Sequence, residues 1–210
     1  SREEAVKAIE VGIGMVADLK EKGYNVLATG EMGIGNTTTS SAVCSVLLDQ
    51  SVEKVTGKGA GLTNKDLEHK IEVIRQSIAL NKVNADDPLD VLAKVGGLDI
   101  AGMAGCYIGG AALNIPVFID GFISSVAALI AIRLVPECAP YLFPSHCSNE
   151  PAGRMILDAI GKQPYIFANM CLGEGTGAVM GFTIADYAFK AYWELPSFEQ
   201  TNFGTYEELN

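Results

Sequence analysis

Tyr24-Asn25-Val26-Leu27-Ala28-Thr29-Gly30-Glu31-Met32-Gly33-Ile34-Gly35-Asn36-Thr37-Thr38-Thr39 passes from an apolar run, through closely spaced glycines, into small hydroxyl residues. The run 24–29 reads as a β-strand and 36–48 as a helix, with residues 37–41 in its first turn. Strand, glycine loop and helix make a βα unit. Its loop directs backbone N–H groups and the positive helix end to one point, the setting in which a phosphate binds. Gly30-x4-Gly35-Asn36-Thr37 falls one residue short of a P-loop, because Asn36 stands where the ATP-binding pattern requires Lys. Without that cation, and with Glu31 inside the loop, the segment suits a monophosphate better than a triphosphate. The carboxylate is then left for sugar hydroxyls or acid–base work.

Before this unit, Val6, Ile9, Ile13, Val16 and Leu19 recur at helical spacing and predict an amphipathic helix over 5–22, closed by Gly23. After it, Gly57-Lys58-Gly59-Ala60-Gly61-Leu62-Thr63 is a second glycine-rich loop and a second candidate anion cradle, followed by a polar helix over 64–81. Pro88 marks a helix start with Asp86 or Asp87 as cap, and the segment 89–95 ends at Gly96-Gly97. A buried helix begins at Asp99; its small residues Ala101, Gly102, Ala104, Gly105, Gly109 and Gly110 are read as close helix–sheet packing rather than a cofactor site.

Ile115-Pro116-Val117-Phe118-Ile119 is apolar without alternation, which implies burial on both faces and a parallel sheet. Ligands bind beyond the carboxyl ends of such strands, so Glu31, Asp120 and Ser145-His146-Cys147-Ser148, after a strand near 140–144, should converge. The apolar run 165–172 reads as a last strand, leading through Gly173-Glu174-Gly175-Thr176-Gly177 into a helix that reaches about Glu194. The expected fold is α/β: a doubly wound, mostly parallel sheet flanked by helices, with part of a small helical subdomain. Residues 1–195 form the nucleotide-binding domain, and 196–210 a tail for the subdomain or a dimer contact.

Composition narrows the function. A net charge of −10 argues against nucleic acid and anionic membranes, which demand clustered Lys and Arg, and leaves small molecules. With 49% hydrophobic and 19% charged residues, the 210-residue chain reads as a globular α/β enzyme with one core. Cys44, Cys106, Cys138, Cys147 and Cys171 form no CxxC pair and no disulfide framework, as expected in a reducing cytosol. The start is no signal peptide, and the apolar stretch 99–120 is interrupted by glycines, Asn114 and Pro116, so no membrane span is expected. His146-Cys147 invites a metal or thiol reading, but two adjacent ligands without a partner cluster are usually incidental. No metal or cofactor is expected. A start without Met, directly in a helical pattern, suggests a longer natural protein that has lost its beginning.

Three segments in this order, Gly30-Glu31-Met32-Gly33-Ile34-Gly35-Asn36-Thr37-Thr38, Pro116-Val117-Phe118-Ile119-Asp120-Gly121-Phe122 and Leu172-Gly173-Glu174-Gly175-Thr176-Gly177, resemble the nicotinate-nucleotide:5,6-dimethylbenzimidazole phosphoribosyltransferases of cobalamin lower-ligand assembly. The resemblance covers essentially the whole chain. It implies transfer of ribose phosphate from nicotinate mononucleotide to a benzimidazole-type base, with release of nicotinate, usually by a homodimer. Carried over by position, Glu174 would be the catalytic base that takes the proton from the attacking base's ring nitrogen. Glu31 and Gly33 would lie close to the ribosyl phosphate and the reacting centre. Gly59, Ala60 and Gly61 would form the phosphate loop, with Lys70 a cationic contact. Asp120 and Ser148 would line the nucleotide pocket, and Leu172 and Gly173 would join the substrate-binding residues.

One carboxylate steadies the positive charge left on ribose as nicotinate departs, and a second removes the proton, so the reaction asks for no metal. Each residue also has a plainer reading: Glu31 and Glu174 as acids favoured at helix starts, Asp120 and Ser148 as caps, Lys70 as a solvated helix charge, the 57–61 loop as a turn. Full-length relatives are expected to carry roughly 140 further residues before Ser1, contributing to the subdomain and the pocket for the incoming base. The second expectation is therefore a nucleotide-binding or dimerising fragment without transfer activity.

Overall fold

The computed structural model describes residues 1–201. Helix α1 (Arg2–Glu21) opens on a capping box between Ser1 and Glu4 and gives way to Gly23 in the left-handed region (φ 89). Strand β1 (Leu27–Ala28) is far shorter than the expected 24–29. It lies at the sheet edge, where Leu27 N and Thr29 N donate to Pro116 O and Phe118 O while Tyr24 and Val26 stay exposed, so pairing ends where the neighbour ends.

Helices α2 (Asn36–Leu47), α3 (Val52–Val55), α4 (Asn64–Asn81), α5 (Pro88–Val95) and α6 (Leu98–Ala112) separate β1 from β2 (Val117–Ile119). Local caps set α4 and α5: Thr63 and Asp66 form a capping box, and Asp87 Oδ1 accepts from Leu89 N and Asp90 N (3.1 and 3.2 Å). The small-residue stripe of α6 faces mainly α1 rather than the sheet. A Cβ at Gly12 would collide with the Gly102 carbonyl and one at Gly105 with that of Ile9; Gly110 alone packs on β2, against Val117. Helix α7 (Phe122–Leu134) is almost wholly buried, and a 3-10 turn (Pro136–Tyr141) leads to β3 (Leu142–Pro144), α8 (Gly153–Ala159) and α9 (Thr176–Glu194).

The three strands are parallel in the order β1-β2-β3, with Leu27 beside Val117 and Phe118 beside Phe143. Helices cover both faces. Val117 and Ile119 join the core under α6 and α7, while Phe118, pointing the other way, stacks on Phe143 (5.6 Å) and meets Phe182 of α9 edge-on (5.0 Å).

The run 165–172 is not a strand. Only Ile166 bridges to His146, because Tyr165 and Phe167 on either side stand in solvent, so Glu174 follows a loop. Of the tail expected over 196–210, Ser197 O accepts from Gln200 N and Thr201 N in a turn, and 202–210 lie outside the described residues. An apolar groove of about 830 Å³ runs between α9 and the sheet, bounded by Val26, Phe118, Phe143, Phe182 and Phe189. Among the described residues no helix is long and apolar enough to cross a membrane.

Candidate active site

The loops after β1, β2 and β3 and the 173–175 turn meet at the carboxyl end of the sheet, around a cavity of about 330 Å³. Its lining includes eight of the residues singled out from sequence: Glu31, Gly33, Gly59, Ala60, Ser148, Leu172, Gly173 and Glu174.

The Glu31 loop and the Glu174 turn are fastened to each other. Glu174 N donates to Glu31 O (2.9 Å), and Gly30 packs so closely on Gly175 that a Cβ would lie 2.5 Å from its nitrogen. Glu174 itself occupies the left-handed region (φ 59), a conformation a non-glycine residue keeps only when its surroundings hold it. The Glu31 carboxylate turns back into its own loop, accepting from Gly33 N (2.6 Å) and Asn36 Nδ2 (2.7 Å). The anion seat suggested by the first glycine loop thus already carries a carboxylate. Asn36, in the place a P-loop gives to Lys, supplies that contact and reaches Asp99 as well (2.9 Å).

Asp120 does not line the cavity. Its carboxylate, 1% exposed, accepts from Gly175 N (3.0 Å), Gly177 N (2.8 Å) and Ala178 N (3.2 Å), capping α9 from a distant strand end. No side chain adjacent to α9 in sequence does this, since its own cap position is Gly175. Asp120 therefore fixes the C-terminal side of the turn that presents Glu174.

Lys70 is buried rather than solvated, at 7% exposure, and sits behind the cavity wall. Its Nζ donates to Thr37 Oγ1 (2.9 Å) and Gly57 O (3.1 Å), tying α4 to the start of α2 and to the second glycine loop. Burial lowers the Lys70 pKa, an effect that nearby Glu150 opposes; burial raises the Glu150 carboxyl in turn, opposed by Lys70. Gly59 packs on Thr37, while Gly61, in its left-handed turn (φ 103), falls outside the lining.

Thr37 and Glu150 carried no assigned role, and His146, expected with Ser145, Cys147 and Ser148 at the ligand-binding end of the sheet, was given none beyond that place once a metal reading was set aside. Yet Thr37, Glu150 and His146 line the cavity. The signal was positional: His146 follows β3, and Glu150 comes two residues after Ser148 in the same loop. His146 is 3% exposed, with Nδ1 3.1 Å from Ser145 Oγ and 3.9 Å from Asp120 Oδ1, and burial lowers its pKa against the opposing pull of Asp120. No group of three or more His, Cys, Asp or Glu side chains among the described residues is arranged to hold a metal ion. Three carboxylates (Glu31, Glu150 and Glu174), a buried cation and glycine-loop backbone around one cleft are suited to binding a small phosphorylated ligand and moving a proton on it.

Comparison with known proteins points the same way. A family model described as phosphoribosyltransferase matches residues 1–203. The nicotinate-nucleotide–dimethylbenzimidazole phosphoribosyltransferase of Ruminiclostridium cellulolyticum is 54% identical over 209 residues, which are 100% of this chain and 59% of that protein. The enzyme of the same name from Acetivibrio thermocellus is 50% identical over 207 residues, 99% of this chain and 59% of its own. A crystal structure of CobT from Thermus thermophilus superposes with a TM-score of 0.91 at 33% identity, over 97% of this chain and 61% of that one. The chain thus spans about 59% of the length of the curated relatives it matches. With the match running through every loop of the cleft, the chain belongs to the nicotinate-nucleotide–dimethylbenzimidazole phosphoribosyltransferase family.

Proposed function

We propose that this chain transfers the phosphoribosyl group of nicotinate mononucleotide to 5,6-dimethylbenzimidazole or a related base, giving α-ribazole 5′-phosphate and nicotinate in cobalamin biosynthesis. The observation that carries the proposal is the backbone bond from Glu174 to Glu31, which joins two carboxylate-bearing loops at the mouth of one cleft. In this reading the 5′-phosphate rests against Gly59 and Ala60, with the Gly61 turn closing that loop and the buried Lys70 cation behind it. Glu31, held in its loop by Gly33 and Asn36, faces the positive charge that develops on ribose as the bond to nicotinate breaks. Glu174 takes the ring proton of the incoming base as its other nitrogen bonds to the ribose carbon. Ser148, Leu172 and Gly173 complete the walls around the substrates, and no cofactor enters.

The exposed apolar side of α9, including Tyr187, Tyr192 and Trp193, supports the homodimer expected from the resemblance, and the unpaired cysteines support a cytosolic setting. A second reading is a nucleotide-binding or dimerising fragment without transfer activity. The open apolar groove beside α9 favours it, because a large uncovered face calls for further protein. Calorimetric titration with nicotinate mononucleotide, followed by nicotinate release on addition of dimethylbenzimidazole, separates the two. Binding with release supports the transferase, binding alone the fragment, and no binding removes both.

A further inference from the structure

The cleft holds a histidine whose environment fixes where its proton lies. Ser145 Oγ is 2.7 Å from Ile119 O, a separation that requires the hydroxyl hydrogen between the two oxygens. With its one proton committed there, Ser145 Oγ can only accept from His146 Nδ1 at 3.1 Å, so Nδ1 carries a hydrogen. Asp120 Oδ1, 3.9 Å from the same nitrogen, favours that tautomer too. Burial lowers the pKa of the ring, which favours its neutral form, against the opposing pull of Asp120. Nε2 is left with a lone pair and has no hydrogen-bond partner among the described residues.

A donor stands beside this acceptor. Ser148 Oγ accepts from Glu150 N (3.3 Å), which leaves its own hydroxyl proton free. The empty side of Gly121 separates the two groups: a Cβ placed there would be 3.5 Å from His146 Nε2 and 4.0 Å from Ser148 Cβ, and all three residues line the cavity. An acceptor and a donor flanking a notch without a side chain match a group that both donates and accepts, which is the character of a hydroxyl.

We propose that His146 Nε2 and Ser148 Oγ together bind a ribose hydroxyl of the nucleotide, His146 accepting its hydrogen and Ser148 donating to its oxygen. The inference rests on the nucleotide reading above and adds a sugar-recognising residue to it. It also gives Asp120 a second task, as the neighbour that steadies the histidine while capping α9. Nothing covalent happens at this subsite; it orients the ring whose anomeric carbon reacts.

Two measurements test it on the whole chain. Nitrogen-15 NMR of the histidines in the free protein reads the tautomer: a neutral His146 with hydrogen on Nδ1 is expected, and its Nε2 resonance should move on addition of nicotinate mononucleotide. Calorimetry then compares nicotinate mononucleotide with its 2′-deoxy and 3′-deoxy analogues. The parent should bind one analogue about ten- to a hundredfold more weakly, the order expected for two lost hydrogen bonds. His146→Leu and Ser148→Ala should each bind the ribonucleotide more weakly and lose most of that discrimination. Hydrogen on Nε2, or equal affinity for all three nucleotides, overturns the subsite while leaving the nucleotide reading intact. Failure of the parent to bind any of them overturns both.

Discussion

Asp120→Asn is the substitution for which the structure supplies the fullest arithmetic. Asn matches Asp in shape but replaces one acceptor oxygen by an NH2 group. If the remaining oxygen stays toward Gly177 N and Ala178 N, the NH2 faces Gly175 N, so a charge-assisted bond is lost and a buried donor is left opposite another donor. The lost bond is worth about 1.5–3 kcal/mol and the orphaned N–H about 1–3 kcal/mol. Turning the amide over is worse, since it forfeits the two bonds to Gly177 and Ala178 instead. A loss of about 3–5 kcal/mol follows, which for a chain of this size lowers Tm by about 6–20 °C. Urea unfolding of parent and variant, with calorimetric nucleotide binding on the same samples, measures both the stability and the presentation of Glu174. A variant within about 0.5 kcal/mol of the parent would mean that Asp120 does not cap α9, because surface-like tolerance cannot coexist with a triple buried cap.

Other expectations follow from the same contacts. Gly12→Ala sets a methyl 2.8 Å from Cys106 N and 2.9 Å from Gly105 Cα, and should cost about 1–3 kcal/mol in urea unfolding as α1 is pushed off α6; an unchanged midpoint would contradict that packing. Lys70→Met keeps the stem but removes the cation beside Thr37 and Gly57, and should weaken nucleotide binding by about ten- to a hundredfold in calorimetry; equal affinity would exclude Lys70 from the phosphate seat. The pH dependence of His146 has a definite sign. Its folded pKa is depressed below 6.5 by burial, so its contribution is present above the unfolded value and is lost as pH falls through the folded one. The stability advantage of the parent over His146→Leu should therefore shrink between about pH 7.5 and 5.5, measured by urea unfolding; an advantage that grows on acidification would place the proton wrongly. Glu150, raised by burial, runs the other way, losing its contribution as pH rises through its folded value, and cancels in that difference.

What could be read from the chain was whatever local chemistry decides. Thr63 with Asp66, and Asp87 with Pro88, are caps whose partners lie within three residues, and α4 and α5 begin where those residues stand. The apolar run 115–119 named a buried parallel strand because both of its faces are covered. The runs 24–29 and 165–172 looked equally strand-like, but strand length depends on a neighbour to pair with. Among the described residues β1 has one only on one side, and 165–172 finds a single bridge. The cleft was legible as a set of loop ends, whereas roles set over long separations were not. Asp120 caps a helix that begins more than fifty residues later, a pairing no local pattern records. His146 was placed at the cleft by its strand end, but which of its nitrogens carries the proton is set by Ser145 and the carbonyl of Ile119, which no local pattern records.

In the proposed reaction Glu174 acts as the base of a phosphoribosyl transfer carried out in this cleft. Nicotinate release from nicotinate mononucleotide with dimethylbenzimidazole, comparing the parent with Glu174→Gln, tests it most directly. The parent should release nicotinate and the variant at least about a hundredfold less, the usual scale for a lost general base, with nucleotide affinity unchanged. Equal release by both proteins, or a parent that neither releases nicotinate nor binds the nucleotide, would contradict it.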